Sequence, residues 1–282
     1  MFNVYLIGNG YVCDYITSLG SKKYKYIGLC RSQKNNCDKN IQVDILKETS
    51  KLKRLINEDS YVVYLVPPQQ SGAIDQVINN FLKHIQRRER IKKIIYISTS
   101  GVYGDKNDKE VDENSSLQPL TDRAKRRVSA EKQVIESNLN YTILRVPGIY
   151  GYGRLPINRI KQRLPLINLD ICRHTNLIHA KDLAKIIVSS IENKNTINKV
   201  INVSDGSAIK STQYYLHIYD ALKKPYPEFI DYEAAEKLYD EKRKSFIKES
   251  RKLDTSLMNK IFPDIIEYKD VREGIKQSLK KE

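Results

Sequence analysis

The sequence lacks any regular cysteine framework. Its four cysteines, Cys13, Cys30, Cys37 and Cys172, form no C-x-x-C pair and no repeating spacing. Small secreted domains and structural metal sites depend on such spacings. We therefore expect reduced thiols in a cytoplasmic protein, and we predict no metal site.

Long apolar runs are also missing. No stretch approaches the length that a membrane-spanning helix requires. Met1 leads directly into a predicted strand, without the basic segment and longer apolar stretch of a signal peptide. We expect a cytoplasmic protein with no membrane partner.

Acidic residues are scarce relative to basic ones, with 34 Asp and Glu against 49 Lys and Arg, for a formal net charge of +15. Such an excess can attract nucleic acid or a membrane surface. Here, however, the basic residues have acidic neighbours along most of the chain, and aromatic side chains are not interleaved with the basic clusters as a nucleic-acid groove requires. We interpret the charge as a solvated surface whose field helps to attract phosphorylated ligands, and we expect no nucleic-acid partner.

The chain does contain short apolar runs that alternate with helical stretches. The runs fit buried strands at residues 2–7, 24–29, 61–66, 93–98 and 141–145, and amphipathic helices are predicted at 11–19, 73–90 and 122–137. This alternation is typical of βαβ units. It predicts an α/β fold with a Rossmann-type doubly wound parallel sheet.

The pattern becomes less regular after Pro147, and 282 residues are close to the upper size of a single core. We therefore predict a nucleotide-binding core in residues 1–150. Residues 151–282 are predicted to form a smaller C-terminal substrate lobe, with a strand and helices returning to the core.

A glycine-containing turn follows the first predicted strand. In a G-x-G-x-x-G loop, the first glycine makes the tight turn and the second lets backbone N–H groups approach a pyrophosphate at a helix N-terminus. The third glycine position is Cys13, which is small enough for helix–strand packing. The turn therefore predicts a dinucleotide-binding loop made by Gly8, Asn9, Gly10, Tyr11 and Val12.

Arg31 and Ser32 follow the second predicted strand, where an NAD enzyme offers a carboxylate to the ribose 2′-hydroxyl. A guanidinium group and a hydroxyl suit a 2′-phosphate instead, so we predict NADP(H) rather than NAD(H). The alternative is that Arg31 is one more surface arginine of a basic protein. Further predicted cofactor contacts are Asp44 and Ile45 beside the adenine, and Leu65, Val66, Pro67 and Pro147 along the rest of the molecule.

Four later segments and the C-terminal tail complete an ordered set of motifs. Residues 97–104 resemble S-[ST]-x-x-V-Y-G, residues 144–151 resemble L-R-x-x-x-I-Y-G, residues 178–184 resemble I-H-V-x-D-L-A, and residues 201–205 resemble [YF]-N-[VI]-[SG]-D. Together they resemble the extended short-chain dehydrogenase/reductase superfamily, or NAD-dependent epimerase/dehydratase family. The tail, residues 250–253 and 268–275, is similar to that of an atypical bacterial subgroup. The resemblance covers residues 1 to about 275 and implies a carbonyl or alcohol substrate, with a nucleotide sugar as the family default.

The chain departs from this family at its catalytic pair. Family catalysis rests on Tyr-x-x-x-Lys, in which the Lys and the cofactor ribose lower the pKa of the Tyr. When the helix is aligned on Ala130 and Glu131, the Tyr position falls on Arg123 and the Lys position on Arg127. A guanidinium group stays protonated and cannot exchange that proton. Thr99 stands at the family position that hydrogen-bonds the substrate oxygen.

Two classes of function remain open from the sequence. The first is an NAD(P)-dependent enzyme with a rebuilt site, in which Thr99 with a water, Tyr103 or Tyr150 donates the proton. Arg123 and Arg127 then hold an anionic substrate or stabilise an oxyanion, although both also fit a simple exposed charge run. The second is an inactive dinucleotide-binding sensor or scaffold. The tyrosines and His179 are also interpretable as packing residues.

The family often forms a homodimer through the two helices predicted at 73–90 and 122–137. The first of these is strongly charged at residues 86–90, which argues against a large apolar contact. A homodimer and a monomer are both consistent with the sequence.

Overall fold

Buried Ile, Val, Leu and Tyr side chains form the strands at the centre of the protein, as in β1, whose last five residues are all buried. The computed structural model describes residues 1–32, 34–56, 58–85 and 88–280. The strands are β1 (Phe2–Ile7), β2 (Tyr24–Cys30), β3 (Lys39–Gln42), β4 (Ser60–Tyr64), β5 (Ile91–Thr99), β6 (Glu110–Val111), β7 (Tyr141–Val146), β8 (Gly148–Tyr150), β9 (Leu166–Ile167), β10 (Leu177–His179), β11 (Lys199–Asn202), β12 (Phe229–Ile230) and β13 (Lys252–Leu253).

The helices lie between these strands and after them. They are α1 (Tyr11–Ser18), α2 (Thr49–Lys53), α3 (Gln76–His84), α4 (Asp122–Glu136), α5 (Ile157–Lys161), α6 (Ala180–Ser190), α7 (Ser211–Ala221), α8 (Tyr232–Leu238), α9 (Glu241–Ile247), α10 (Ser256–Ile261) and α11 (Val271–Ser278). None of the helices in the described ranges combines the length and apolarity of a membrane span.

Seven strands of the described residues form one parallel sheet in the order β11-β7-β5-β4-β1-β2-β3. Leu6 of β1 lies opposite Gly28 of β2 on one side and Val63 of β4 on the other. The chain order therefore reverses at β1, and this switch point leaves a crevice beyond the carboxyl ends of β1 and β4. The predicted α/β fold with a Rossmann-type sheet is confirmed.

Alternate residues of each strand enter different cores, because successive strand side chains point to opposite faces. Leu6 packs with Ile16 of α1 and Leu183 of α6 in one core. Ile7 packs with Phe81 of α3 in the other. Helices thus cover both faces of the sheet and leave its carboxyl edge for ligands.

Helix boundaries follow local capping more than apolar periodicity. The helix predicted at 73–90 is shorter, because Asp75 caps α3 by accepting from the N–H groups of Val77 and Ile78 at 2.9 and 3.2 Å. It ends at His84, and Arg88–Arg90 form a separate 3-10 turn. Gln86 and Arg87, two residues of the predicted charged end, lie outside the described residues.

Residues after 150 pack in two places. β11 extends the main sheet, and α6 and α10 contribute to the core that contains Leu6. α5, α7 and α11 surround a separate apolar cluster that includes Ile160, Ile218 and Ile275. The second group forms a lobe that faces the carboxyl edge of the sheet across the cleft described below.

Candidate functional site

A cleft of about 1070 Å³ opens at the carboxyl ends of β1, β4, β5 and β7 and extends to the C-terminal lobe. The predicted residues that line it are Gly8, Gly10, Tyr11, Val12, Leu65, Pro67, Thr99, Arg123, Arg127 and Pro147. The structure thus brings together residues that lie up to 139 positions apart in sequence, from Gly8 to Pro147. This is where the switch point of a Rossmann sheet binds its ligand.

The glycine loop has the geometry that a dinucleotide requires. Gly8 has φ +89, and a Cβ there would lie 2.8 Å from Val66 Cγ2 and 2.9 Å from the Val66 nitrogen. Gly10 is the N-cap of α1, and a Cβ there would approach only the Gly8 oxygen, at 3.6 Å. The space in front of Gly10 is therefore open, and the positive end of α1 faces it. The loop fits a pyrophosphate.

Two residues of the glycine motif lie away from the cleft. Cys13, at the third glycine position, is fully buried in the core with Leu6. Asn9 does not line the cleft, because its side chain donates to Asn40 at 2.9 Å and exchanges hydrogen bonds with Asn36 at 2.6 and 2.8 Å. Asn36 also donates to Asp14 of α1 at 2.5 Å. Asn9 therefore ties the loop after β2 to the glycine loop and does not itself face the cleft.

The predicted adenosine contacts lie apart from the large cleft. Arg31 and Ser32 are exposed after β2, and Ser32 lines a separate cavity of about 500 Å³ together with Lys34. The Asp44 carboxylate accepts from the Leu46 N–H at 2.9 Å, and Ile45 is buried.

Val66 also stands behind the cleft wall, directly under Gly8. Five of the predicted cofactor contacts are not among the described residues that line the large cleft: Arg31, Ser32, Asp44, Ile45 and Val66.

Thr99 ends β5 and faces the cleft. Its hydroxyl accepts from the Gly101 N–H at 3.2 Å and caps a single 3-10 turn, Ser100–Tyr103. A Cβ at Gly101 would lie 3.8 Å from the Cβ of Ala124, so the start of α4 packs closely on this turn. Thr99 and the first turns of α4 are thereby held on the same side of the cleft.

Arg127 is locked at the floor of the cleft. Its Nη1 donates to the Tyr96 hydroxyl at 2.9 Å and to the carbonyl oxygens of Ile97 and Val66 at 3.1 and 3.4 Å. Burial alone would lower the pKa of Arg127, but Tyr96 and Asp75 raise it above its ordinary value. The side chain is a fixed cation there. Arg123, one turn earlier on α4, lines the same cleft and is exposed.

Tyr103 is not in the cleft, contrary to the prediction that it donates a proton there. It is fully buried, its hydroxyl donates to Asn202 Oδ1 at 2.7 Å, and it accepts from Arg145 Nη1 at 2.9 Å. Arg145 in turn forms a buried ion pair with Glu131 at 2.8 Å, and Glu131 accepts from Ser98 at 2.5 Å. Tyr103 therefore belongs to a polar network beneath the site.

Tyr150 and His179 are also buried, and their rings pack edge to face with centroids 5.2 Å apart. His179 Nδ1 accepts from the Lys181 N–H at 3.2 Å and so caps α6. Burial raises the pKa of Tyr150 well above its ordinary value. Both side chains therefore have packing roles in this arrangement.

Most of the charge in the cleft comes from residues that sequence reasoning missed. Within the described residues, seven arginines line it and the acidic lining residue is Glu249. The arginines are Arg123, Arg126, Arg127, Arg154, Arg173, Arg243 and Arg251. Arg154, Arg173 and Arg243 carry no signal in a chain that is basic throughout, whereas Arg126 and Arg251 stand out only as members of a charge run and of the C-terminal motif.

The fold and the glycine loop define a Rossmann-type dinucleotide-binding protein. Residues 6–204 match the model of the NAD dependent epimerase/dehydratase family, and the chain belongs to that family. Membership supports an enzyme, since the family is named for NAD-dependent epimerases and dehydratases.

Individual relatives are distant in sequence. Human dTDP-D-glucose 4,6-dehydratase is 24% identical over 255 residues, which span 81% of this chain and 71% of that protein. UDP-glucuronic acid 4-epimerase from Bacillus cereus in complex with NAD superimposes with a TM-score of 0.76 at 18% identity, covering 98% of this chain and 97% of that one. UDP-N-acetylglucosamine 4-epimerase from Methanobrevibacter ruminantium M1 gives a TM-score of 0.76 at 20% identity, covering 99% and 96%. These structures share the fold.

Proposed function

We propose that this protein is an NADP(H)-dependent enzyme that interconverts a hydroxyl and a carbonyl group on a small anionic substrate, with a nucleotide-linked sugar as the favoured class. The observation that carries this proposal is the excess of arginine in a cleft that also holds the glycine loop and Thr99. The named substrates of the relatives, UDP-sugars and a dTDP-sugar, belong to the same chemical class.

The arginines of the cleft are partly enclosed by protein, which strengthens their attraction for an anion. Two unit charges 4 Å apart interact by about 4 kcal/mol at the effective dielectric near a protein surface. Ion pairs with Glu249 and Asp105 offset Arg251 and Arg173, at 3.0 and 2.9 Å. Four further arginines, Arg126, Arg127, Arg154 and Arg243, add positive charge to the cleft. A diphosphate is a group whose oxygens guanidinium groups bind well.

The roles of the residues follow from their positions. Gly10 and the start of α1 hold the pyrophosphate of the cofactor, which supplies hydride transfer when bound. Thr99 orients the reacting oxygen of the substrate through its hydroxyl. Arg127 is fixed by Tyr96 beside it and stabilises negative charge that develops on that oxygen. Arg123 contacts an anionic group of the substrate at the cleft entrance.

The preference for NADP(H) over NAD(H) rests on Arg31 and Ser32. Both are exposed immediately after β2, with Lys34 close by on the same small cavity as Ser32. An NAD enzyme has a carboxylate at this place, where this chain offers cations and a hydroxyl to a 2′-phosphate.

A titration of the purified protein with NADPH and NADH, followed by fluorescence or calorimetry, tests the proposed cofactor. We expect tighter NADPH binding, loss of the preference in Arg31→Ala, and loss of both cofactors in Gly10→Val. Lys25→Ala, an exposed cation on β2 outside the cleft, is the matched control. Equal affinities for the two cofactors would refute the preference, and absence of binding would refute the proposal as a whole.

A turnover assay tests the proposed substrate class. Incubation with NADP⁺ or NAD⁺ and UDP-glucose, UDP-glucuronate or dTDP-glucose should yield an epimer or a keto sugar, detected by chromatography and mass spectrometry. Cofactor binding with no turnover of any nucleotide sugar would favour the inactive sensor. That alternative follows from the sequence alignment on Ala130 and Glu131, which assigns Arg123 and Arg127 to the family's Tyr and Lys positions.

A further inference from the structure

The loop that follows β8, residues 151–154, packs directly on the start of α1. The Tyr11 hydroxyl donates to the Tyr152 carbonyl oxygen at 2.9 Å, and the Tyr152 N–H donates to the Tyr15 hydroxyl at 3.2 Å. Gly151 is buried here, and a Cβ at this position would overlap the Tyr11 hydroxyl. The loop therefore reaches α1 because residue 151 has no side chain.

Arg154 lies at the end of this loop, over the residue that follows Gly10. Its backbone N–H donates to the Gly151 carbonyl oxygen at 3.0 Å, which closes a turn. Its guanidinium carbon Cζ is 4.3 Å from the centre of the Tyr11 ring, a cation–π contact. Tyr11 is the first residue of α1, and Gly10, Tyr11 and Arg154 all line the cleft. The contact thus holds a cation beside the glycine loop.

The charge of Arg154 is available to a ligand. Arg173 and Arg251, which line the same cleft, are paired with carboxylates. Among the residues that the structure describes, no carboxylate forms an ion pair with Arg154, and its side chain is exposed. Asp14, the acidic residue in the first turn of α1, instead accepts from Asn36 at 2.5 Å. An anion that enters the cleft near Gly10 therefore meets a cation that is already held in place by an aromatic ring.

We propose that Arg154 binds the pyrophosphate of the dinucleotide cofactor, together with the backbone N–H groups at the start of α1. The proposal rests on the proposed function and adds a side-chain cation to a loop that otherwise offers backbone groups. A guanidinium group presents paired N–H donors that match phosphate oxygens. Arg154 and Gly10 belong to segments far apart in sequence, so a shared contact to the pyrophosphate joins the loop after β8 to the glycine loop.

The role of Arg154 differs from the role proposed for Arg31. The pyrophosphate is common to NADP(H) and NAD(H), so Arg154 contributes equally to the binding of both cofactors and does not affect the choice between them. A nucleotide-sugar substrate also carries a diphosphate. The position of Arg154 over Tyr11, next to Gly10, favours the diphosphate of the cofactor.

Titration of the purified protein with NADPH, NADH and ADP-ribose, without substrate, tests this role in Arg154→Gln. We expect Kd to rise about 10- to 100-fold for all three ligands, as for the loss of a hydrogen bond between charged groups, while the ratio of the NADPH and NADH affinities is unchanged. Arg154→Lys keeps the charge without the paired donors and should weaken binding less. Arg54→Gln, the same change at an exposed arginine after α2 and outside the cleft lining, is the matched control.

Titration of UDP into the NADP⁺-saturated proteins separates the two sources of diphosphate. Arg154→Gln should leave UDP affinity unchanged. Lost UDP affinity with unchanged cofactor affinity would instead place the substrate diphosphate at Arg154 and overturn the proposal.

Two other results also overturn it and leave the proposed function standing. One is unchanged affinity of Arg154→Gln for ADP-ribose, and the other is a loss confined to NADPH. Failure of the wild-type protein to bind either NADPH or NADH overturns the proposed function, and the role of Arg154 with it.

Discussion

The buried Arg145–Glu131 pair beneath Thr99 gives the sharpest prediction about stability. The two side chains are only 5% and 4% exposed, and Glu131 receives three contacts from Arg145, at 2.8, 3.2 and 3.3 Å. Removing one partner of such a pair leaves a buried charge without compensation, which costs about 3–5 kcal/mol. We therefore expect Glu131→Gln to lower the free energy of unfolding by about 3 kcal/mol, since the amide keeps one hydrogen bond.

In thermal unfolding this loss corresponds to a fall of roughly 6–12 °C in Tm, because about 1 kcal/mol shifts Tm by roughly 2–4 °C in a chain of this size. The assay is calorimetry or circular dichroism, with urea unfolding as a check. Joint replacement, Glu131→Met with Arg145→Met, should recover most of the loss, because no charge then remains buried.

Glu233→Gln is the matched control, since its ion pair with Lys237 is 79% and 76% exposed and contributes under about 1 kcal/mol. A loss below about 1 kcal/mol in Glu131→Gln would refute the reasoning.

Three further predictions concern single positions. Burial lowers the pKa of Lys93 to about 8, so between about pH 8 and 10.5 the unfolded chain binds more protons than the folded one. The free energy of unfolding should therefore rise with pH across that window. Urea unfolding at several pH values should show this rise in the wild type and not in Lys93→Met. Burial raises the pKa of Asp205 to about 6, so between about pH 4 and 6 the folded chain binds more protons than the unfolded one. The free energy of unfolding of the wild type should therefore fall as pH rises across this window, and Asp205→Asn should remove the fall. Equal dependence of the unfolding free energy on pH in both proteins would contradict this cause. Gly8→Ala should cost at least about 2 kcal/mol, from its φ of +89 and the approach to Val66, whereas Gly20→Ala, with φ +59 and open space, should cost less.

The sheet and the glycine loop were predictable because their signals are local. Runs such as residues 2–7 and 93–98 are apolar enough to identify buried strands, and the turn at Gly8 and Gly10 follows the first strand directly. β1, the glycine turn and α1 all lie within residues 2–18. Over so short a stretch, the order of residue types is enough to predict the local structure.

The composition of the candidate site was not predictable in the same way. Arg173 and Arg251 reach the cleft only because segments more than 70 residues apart pack together. Whether Tyr103 faces the cleft or the interior depends on Arg145 and Asn202, which lie 42 and 99 residues later in the chain. Segments identified by their motifs reach the cleft at Gly8, Thr99 and Pro147, but the motifs could not determine the direction of each side chain.

The amide contacts between Asn9 and Asn36 couple the glycine loop to the segment that follows β2. In Rossmann folds that bind dinucleotides, residues after the second strand contact the ribose 2′-hydroxyl or the 2′-phosphate. In this protein that segment is bonded to the glycine loop and, through Asn36, to Asp14 of α1. Under the proposed function, an exchange that removes Asn36 changes the contacts to the pyrophosphate together with the contacts to the ribose 2′ position, so the two sets of contacts must be redesigned together.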